Sequence, residues 1–89
     1  MPSRLNIRIT GEVQSVFFRQ SAKKEAERLS LSGFARNEPD GSVYIEAEGD
    51  EAALKEFAIW CRQGPRDARV DKVSVEEDAI VGHKNFEIK

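Results

Sequence analysis

Leu5, Ile7 and Ile9 alternate with Asn6, Arg8 and Thr10, the two-residue period of a strand with one buried face. From Phe18 the period lengthens. Ala22, Ala26 and Leu29 recur at helical spacing, with Lys23, Lys24, Glu25, Glu27 and Arg28 on the other faces. This helix is predicted to end near Leu31, and Gly33 opens a second strand through Phe34 and Ala35. Glu38-Pro39-Asp40-Gly41 is a turn: proline presets φ, Asp suits the next position, and Gly accepts the left-handed conformation that closes a hairpin. In a third strand Val43, Ile45 and Ala47 share one face and Tyr44, Glu46 and Glu48 the other, up to Gly49. Asp50 is a candidate N-cap for a second helix with a buried stripe of Ala53, Leu54, Phe57, Trp60 and Cys61, stopped by Gly64-Pro65. Val70, Val73 and Val75 mark a fourth strand. Phe86 and Ile88 suggest a short fifth strand or a terminal segment packed on the sheet.

The order strand-helix-strand-strand-helix-strand leaves two helices that must each bury one face. The simplest solution is an α+β ferredoxin-like βαββαβ sandwich, an antiparallel sheet with both helices on one side. At 89 residues the chain is expected to form a single domain over 1–89, burying roughly 60–65% of its unfolded surface. No repeat or low-complexity tract interrupts it. A net charge of −2 argues against a general nucleic-acid binder, so an anion site must be local. Cys61 is the only cysteine, which excludes an intrachain disulfide. The Met1–Asn6 segment lacks the apolar run of a signal peptide, and no stretch approaches the ~20 apolar residues of a membrane span. A cytoplasmic location without membrane contact is expected.

The chemistry concentrates in two stretches. Gly11-Glu12-Val13-Gln14-Ser15-Val16-Phe17-Phe18-Arg19 runs from a strand into a helix start and ends in an arginine. Backbone N–H groups at such a junction, aided by the helix dipole, suit an anion, and an arginine one turn in can grip it with two parallel donors. Gly33-Phe34-Ala35-Arg36-Asn37-Glu38-Pro39-Asp40-Gly41 presents an asparagine just before the turn. A fixed cation, a backbone cradle and a neutral amide together suit a phosphate-bearing substrate. Taken singly, Arg19 reads as a surface helix arginine and Asn37 as a turn opener.

Together the two stretches resemble the signature motifs of the acylphosphatase family. Gly11, Val13, Gln14, Val16, Phe18 and Arg19 match the first motif, and Gly33, Phe34, Asn37, Gly41 and Val43 the second, with Gly49 at the expected distance. The resemblance runs from about Leu5 to Ile88. It implies hydrolysis of an acyl phosphate to a carboxylate and inorganic phosphate, without metal or other cofactor. It assigns phosphate binding to Arg19, orientation of the attacking water to Asn37, and the phosphate cradle to the backbone of Glu12, Val13, Gln14, Ser15, Val16 and Phe17. A neutral amide cannot act as a base near pH 7, but it can accept a hydrogen bond from water and aim its lone pair.

Two departures stand out. Ser15 occupies a cradle position, and Ser30 a position after the first helix, where the family pattern has glycine. If either needs positive φ, serine introduces strain on the order of 1–2 kcal/mol. The alternative reading is therefore a non-enzymatic ferredoxin-like module that binds an anion or partner, impaired in turnover by Ser15. RNA binding on the sheet face is weaker still, because Tyr44 is the only aromatic expected on its strand's polar face. His83 is expected in a solvent-exposed loop, Glu46 and Glu48 on a solvated surface, and Cys61 in the core. No Cys or His cluster has metal-ligand spacing. The expected partners are a small acyl phosphate and inorganic phosphate, with the protein a monomer.

Overall fold

Ile7, Ile9, Val43, Ile45 and Ala47 are fully buried, and the pairing explains why: Ile7 lies opposite Ile45, Ile9 opposite Val43 and Leu5 opposite Ala47. The computed structural model describes residues 1–89. β1 spans Pro2–Glu12, α1 Phe18–Arg28, β2 Ser32–Asn37, β3 Val43–Asp50, α2 Glu51–Gln63, β4 Arg69–Asp78 and β5 Phe86–Ile88. The sheet order is β4-β1-β3-β2-β5. The first four strands pair antiparallel, giving the ferredoxin-like core read from the sequence. β5 runs parallel to β2, so the five-stranded sheet as a whole is mixed.

Both helices cover one face, α1 over β2 and β5 and α2 over β1, β3 and β4. Phe18 of α1 meets Trp60 of α2 edge-on at 5.4 Å, and Phe57 meets Phe86 of β5 at 6.2 Å. Leu54, Phe57 and Cys61 form the buried stripe of α2. Asp50 caps this helix, its carboxylate accepting from the Ala52 amide at 3.2 Å, and Gly64 stops it in the left-handed region at φ 70°.

The other face of the sheet is less solvated than its polar residues suggested. Residues 79–85 cross it on the way from β4 at one edge to β5 at the other. The Glu48 carboxylate, almost wholly buried, accepts from the amides of Val81, Gly82 and His83 and holds this crossing down. Burial alone would raise the Glu48 carboxyl, but the amides outweigh it and keep it below the usual carboxylate range. Glu46 is also largely covered, 2.6 Å from Arg4 and 3.2 Å from the His83 ring. His83 itself is half-buried, edge-on to Phe34. These positions correct the expectation of solvent-facing Glu46, Glu48 and His83. A sequence pattern assigns a face but cannot show that a distant loop will cover it. Phe34 of β2 joins Tyr44 on this face, with Arg36 over both rings, while Tyr44 is the only aromatic of its own strand. Three arginines on this face nevertheless meet carboxylates, Arg4 with Glu46 and Asp78, and Arg8 and Arg36 with Glu38, while the Lys89 ammonium lies over the Phe34 ring at 4.3 Å.

α1 ends in a Schellman motif. The Leu31 amide donates to Ala26 and the Ser30 amide to Glu27, at 2.8 and 3.1 Å, which satisfies two carbonyls at the helix end. The motif needs a left-handed residue after the cap, and Ser30 supplies it at φ 59°. Ser30→Gly should therefore stabilise the protein by about 1 kcal/mol. Relief of left-handed strain, on the order of 1–2 kcal/mol, exceeds the gain in unfolded-chain freedom, about 0.4–1 kcal/mol. For a domain of this size that corresponds to roughly 4–8 °C in Tm. A thermal melt with no rise, or a fall, would show that serine occupies this conformation without strain.

Candidate active site

Val13 and Phe18 are both buried, 1% and 2% exposed, so the chain between them is anchored in the core at each end and must arch outward. The arch begins at a break in pairing. The register of β1 against β4 shifts between Thr10 and Gly11, where Gly11 adopts φ 132° and a Cβ would lie 2.1 Å from the Arg69 carbonyl oxygen. Only glycine fits that bulge, which turns the end of the strand away from the sheet. Ser15 and Phe17 then take left-handed conformations at φ 61° and 60°, separated by Val16. Left-handed residues spaced in this way are the backbone signature of an anion-binding nest, in which successive N–H groups turn inward. None of the amides from Gln14 to Phe17 donates to a backbone carbonyl.

The nest leads directly into α1, whose N-terminus is left uncapped. Phe17 at the N-cap offers no side-chain hydrogen bond, the first turn holds no acidic residue, and Arg19 lies within that turn. α2 has the opposite arrangement, with Asp50 as cap and Glu51 in its first turn. A helix start without a cap forgoes about 1 kcal/mol, and a cation beside the positive helix end is unfavourable by a further few tenths. Two left-handed L-residues add roughly 1–2 kcal/mol each. An anion at this terminus would turn the uncapped amides and Arg19 from liabilities into ligands.

Arg19 and Asn37 share one concavity of about 290 Å³, lined also by Ser15, Phe17, Phe18 and Gln20. Arg19 has no Asp or Glu partner, unlike Arg4, Arg8, Arg28, Arg36 and Arg69. Its Nη1 instead donates to the Lys89 backbone oxygen at 2.9 Å, bringing the far end of the chain to the site. Asn37 is the last residue of β2, exposed and paired with Val43 across the hairpin. A hollow of about 340 Å³ beside α1 and α2 holds Lys24, Glu25, Arg28 and Trp60. Its guanidinium is already neutralised, since Arg28 contacts Glu25 and Glu56.

The side chain of Gln14 couples the two halves. Its Nε2 donates to the carbonyl oxygens of Glu38 and Ser42 at 2.8 and 3.0 Å, tying the nest to the turn that follows Asn37. The same turn is closed by the Glu38 amide on Ser42 and by Asp40, which accepts from the Ser42 amide and hydroxyl. The Glu38 carboxylate receives Arg36 at 3.0 Å and Arg8 at 3.5 Å. The hydrogen bond from Arg36 is the main reason the Glu38 carboxyl titrates below the usual range. Asn37 thus sits at the base of a turn braced from three sides.

The six cradle residues named from the sequence have different fates. Ser15 and Phe17 line the concavity, and Val16 packs partly against the core. Glu12 is the last residue of β1, paired with Arg69, its carboxylate 3.3 Å from that guanidinium. Val13 is core, and Gln14 spends its side chain on the turn. Sequence reading missed this bridging role and the presence of Gln20 on the rim. The Gln14 bond spans 24 and 28 residues of chain, so no local signal encodes it. No group of three or more His, Cys, Asp or Glu side chains is arranged to hold a metal.

This ferredoxin-like architecture is shared with known proteins. The acylphosphatase family model matches residues 5–88. An acylphosphatase of a Nocardioides species is 43% identical over 89 residues, covering all of this chain and 90% of the relative. The crystal structure of acylphosphatase from Bacillus subtilis superposes with a TM-score of 0.95 at 37% identity, covering 100% and 99% of the two chains. An acylphosphatase from Coxiella burnetii gives 0.96 at 32% identity, covering 99% and 93%. The chain belongs to the acylphosphatase family, enzymes that hydrolyse acyl phosphates.

Gln14→Ala should separate the two halves of the site. Each lost hydrogen bond is worth about 0.5–1.5 kcal/mol of stability. Turnover should fall at least about tenfold, equivalent to 1.4 kcal/mol in barrier, because the nest and Asn37 lose their fixed spacing. The Kd for inorganic phosphate should change by much less. If calorimetric titration shows phosphate affinity falling as far as kcat, Gln14 serves the nest alone and the bridge has no part in catalysis.

Proposed function

We propose that this chain hydrolyses acyl phosphates without a metal ion, using the nest from Ser15 to Phe17 and Arg19 for the phosphoryl group and Asn37 for the water. The observation that carries the reading is the uncapped start of α1. Ser15, Phe17 at the uncapped helix start, and an arginine without an Asp or Glu partner line the same concavity as Asn37. Phosphoryl transfer needs little covalent help from the protein, so positioning and charge stabilisation dominate. Arg19 and the amides stabilise charge on the non-bridging oxygens. The Asn37 amide accepts a hydrogen bond from water and aims its lone pair at phosphorus. The water oxygen bonds to phosphorus while the bond from phosphorus to the acyl oxygen breaks, its electron pair leaving with the carboxylate. The water proton passes to a phosphate oxygen. A carboxylate is so weakly basic that it leaves without a general acid.

We further propose that the protein works as a cytoplasmic monomer without nucleic acid. The pairing of Arg4, Arg8 and Arg36 with carboxylates on the sheet face away from the helices supports the absence of a nucleic-acid partner, and no helix is long and apolar enough to cross a membrane.

Arg19→Ala should weaken inorganic phosphate binding and turnover together, because the guanidinium contacts the phosphoryl group in both ground and transition states. Asn37→Ala should lower kcat severely and leave phosphate affinity nearly intact. Wild-type turnover should persist in EDTA. Equal loss of phosphate affinity in both variants would remove Asn37 from the water, and activity restored only by added Mg²⁺ or Zn²⁺ would end the metal-independent mechanism.

Ser15→Gly should change kcat/KM by less than about tenfold. The nest uses N–H groups that serine retains. Relief of strain at φ 61° is offset by the greater freedom of a glycine loop in the free protein. An inactive wild type rescued by orders of magnitude on substitution would favour the alternative, a binding module in which serine blocks turnover.

A further inference from the structure

Phe17 and Phe18 are adjacent, yet their side chains meet opposite environments. Phe18 enters the core, 2% exposed and edge-on to Trp60, whereas Phe17 is 72% exposed. The left-handed backbone at Phe17 is unusual for a bulky residue and turns its ring outward on the rim of the concavity that holds Arg19 and Asn37. The other lining residues are Ser15, Gln20 and the buried Phe18, so nearly all the apolar surface offered at this rim belongs to the Phe17 ring. Its ring makes no aromatic pair within the protein, in contrast to Phe18, Phe34, Phe57 and Phe86, and Phe17 is not part of the hydrophobic core.

We propose that the Phe17 ring is the platform for the acyl group and that the enzyme consequently favours acyl phosphates whose acyl part is flat and apolar, aromatic acyl phosphates above all. The proposal rests on the reading that the nest and Arg19 hold the phosphoryl group, since that placement brings the attached acyl group to the rim. Aromatic rings meet in offset or edge-to-face arrangements and gain beyond simple burial. A methyl group covers far less of the ring than a phenyl group does. The backbone amide of Phe17 serves the phosphoryl group whatever the substrate, while its side chain distinguishes one acyl group from another. Phe17 is therefore a specificity-determining residue for the reaction.

The measurement is kcat/KM for benzoyl phosphate divided by that for acetyl phosphate, in wild type, Phe17→Ala and Phe17→Tyr. Any disturbance of the nest affects both substrates alike and cancels in the ratio. Alanine at this φ is also left-handed, so backbone strain is retained. Phe17→Ala should lower the ratio about tenfold, equivalent to 1.4 kcal/mol, chiefly through a higher KM for benzoyl phosphate. Phe17→Tyr should keep the ratio within about twofold of wild type. An unchanged ratio in Phe17→Ala, or an equal fall in Phe17→Tyr, would overturn the platform while leaving the hydrolytic reading intact. A wild type that turns over neither substrate would overturn the hydrolytic reading itself and the platform with it.

Discussion

Burial of Val13 and Phe18 is the constraint on which the rest of the site depends. Both side chains are committed to the core, and the residues between them cannot join either the sheet or the helix. The bulge at Gly11 aims the chain outward and Phe18 starts α1 as the chain returns. The intervening backbone has few ways to cover that distance, and left-handed conformations at Ser15 and Phe17 are part of the solution adopted. The anion nest is a consequence of how two apolar residues are anchored in a closely packed core.

The chemistry asks for placement more than for reactive groups. A phosphoryl group, a water molecule and a weakly basic leaving group react faster when donors are already aimed. In the proposed mechanism the nest holds the phosphoryl group and the hairpin turn carries Asn37, the residue assigned to the water. The Gln14 amide is the direct side-chain link between them, reaching two carbonyl oxygens of the turn. Arg8, Arg36 and Asp40 brace the turn independently, so the spacing is set from both sides. The arrangement uses local strain and an unfilled helix terminus, which a protein with only a few kcal/mol of net stability tolerates at few places.

Serine at two left-handed positions distinguishes this chain from the glycine-bearing family pattern. At Ser30 the conformation closes the Schellman motif and has a purely structural reason. At Ser15 it forms the nest, and the hydroxymethyl group lies on the concavity beside Arg19 and Asn37. The same backbone conformation thus closes a helix end in one place and borders the concavity of Arg19 and Asn37 in the other. Serine keeps the N–H that each position needs, so the substitution alters strain and bulk without removing a hydrogen-bond donor.

Amphipathic periods over Leu5–Ile9 and Ala22–Leu29, the Pro-Asp-Gly turn, the Asp50 cap and the Gly64 stop were sufficient to determine the elements and their order, because each is a local preference of backbone or solvent. The family motifs likewise brought Arg19 and Asn37 forward as candidates. Other features required the folded chain. The parallel pairing of β5 with β2 and the covering of Glu46, Glu48 and His83 arise from a segment that crosses the whole sheet, and no pattern within that segment records what it will cover. The Gln14 bridge and the contact of Arg19 with Lys89 join residues 24 to 70 positions apart. The outward turn of Phe17 was hidden for a different reason: beside Phe18 it reads as equally apolar, and only the filled core and the left-handed backbone decide which ring faces water. Local preferences are written residue by residue, whereas long-range contacts exist only after packing has excluded the alternatives.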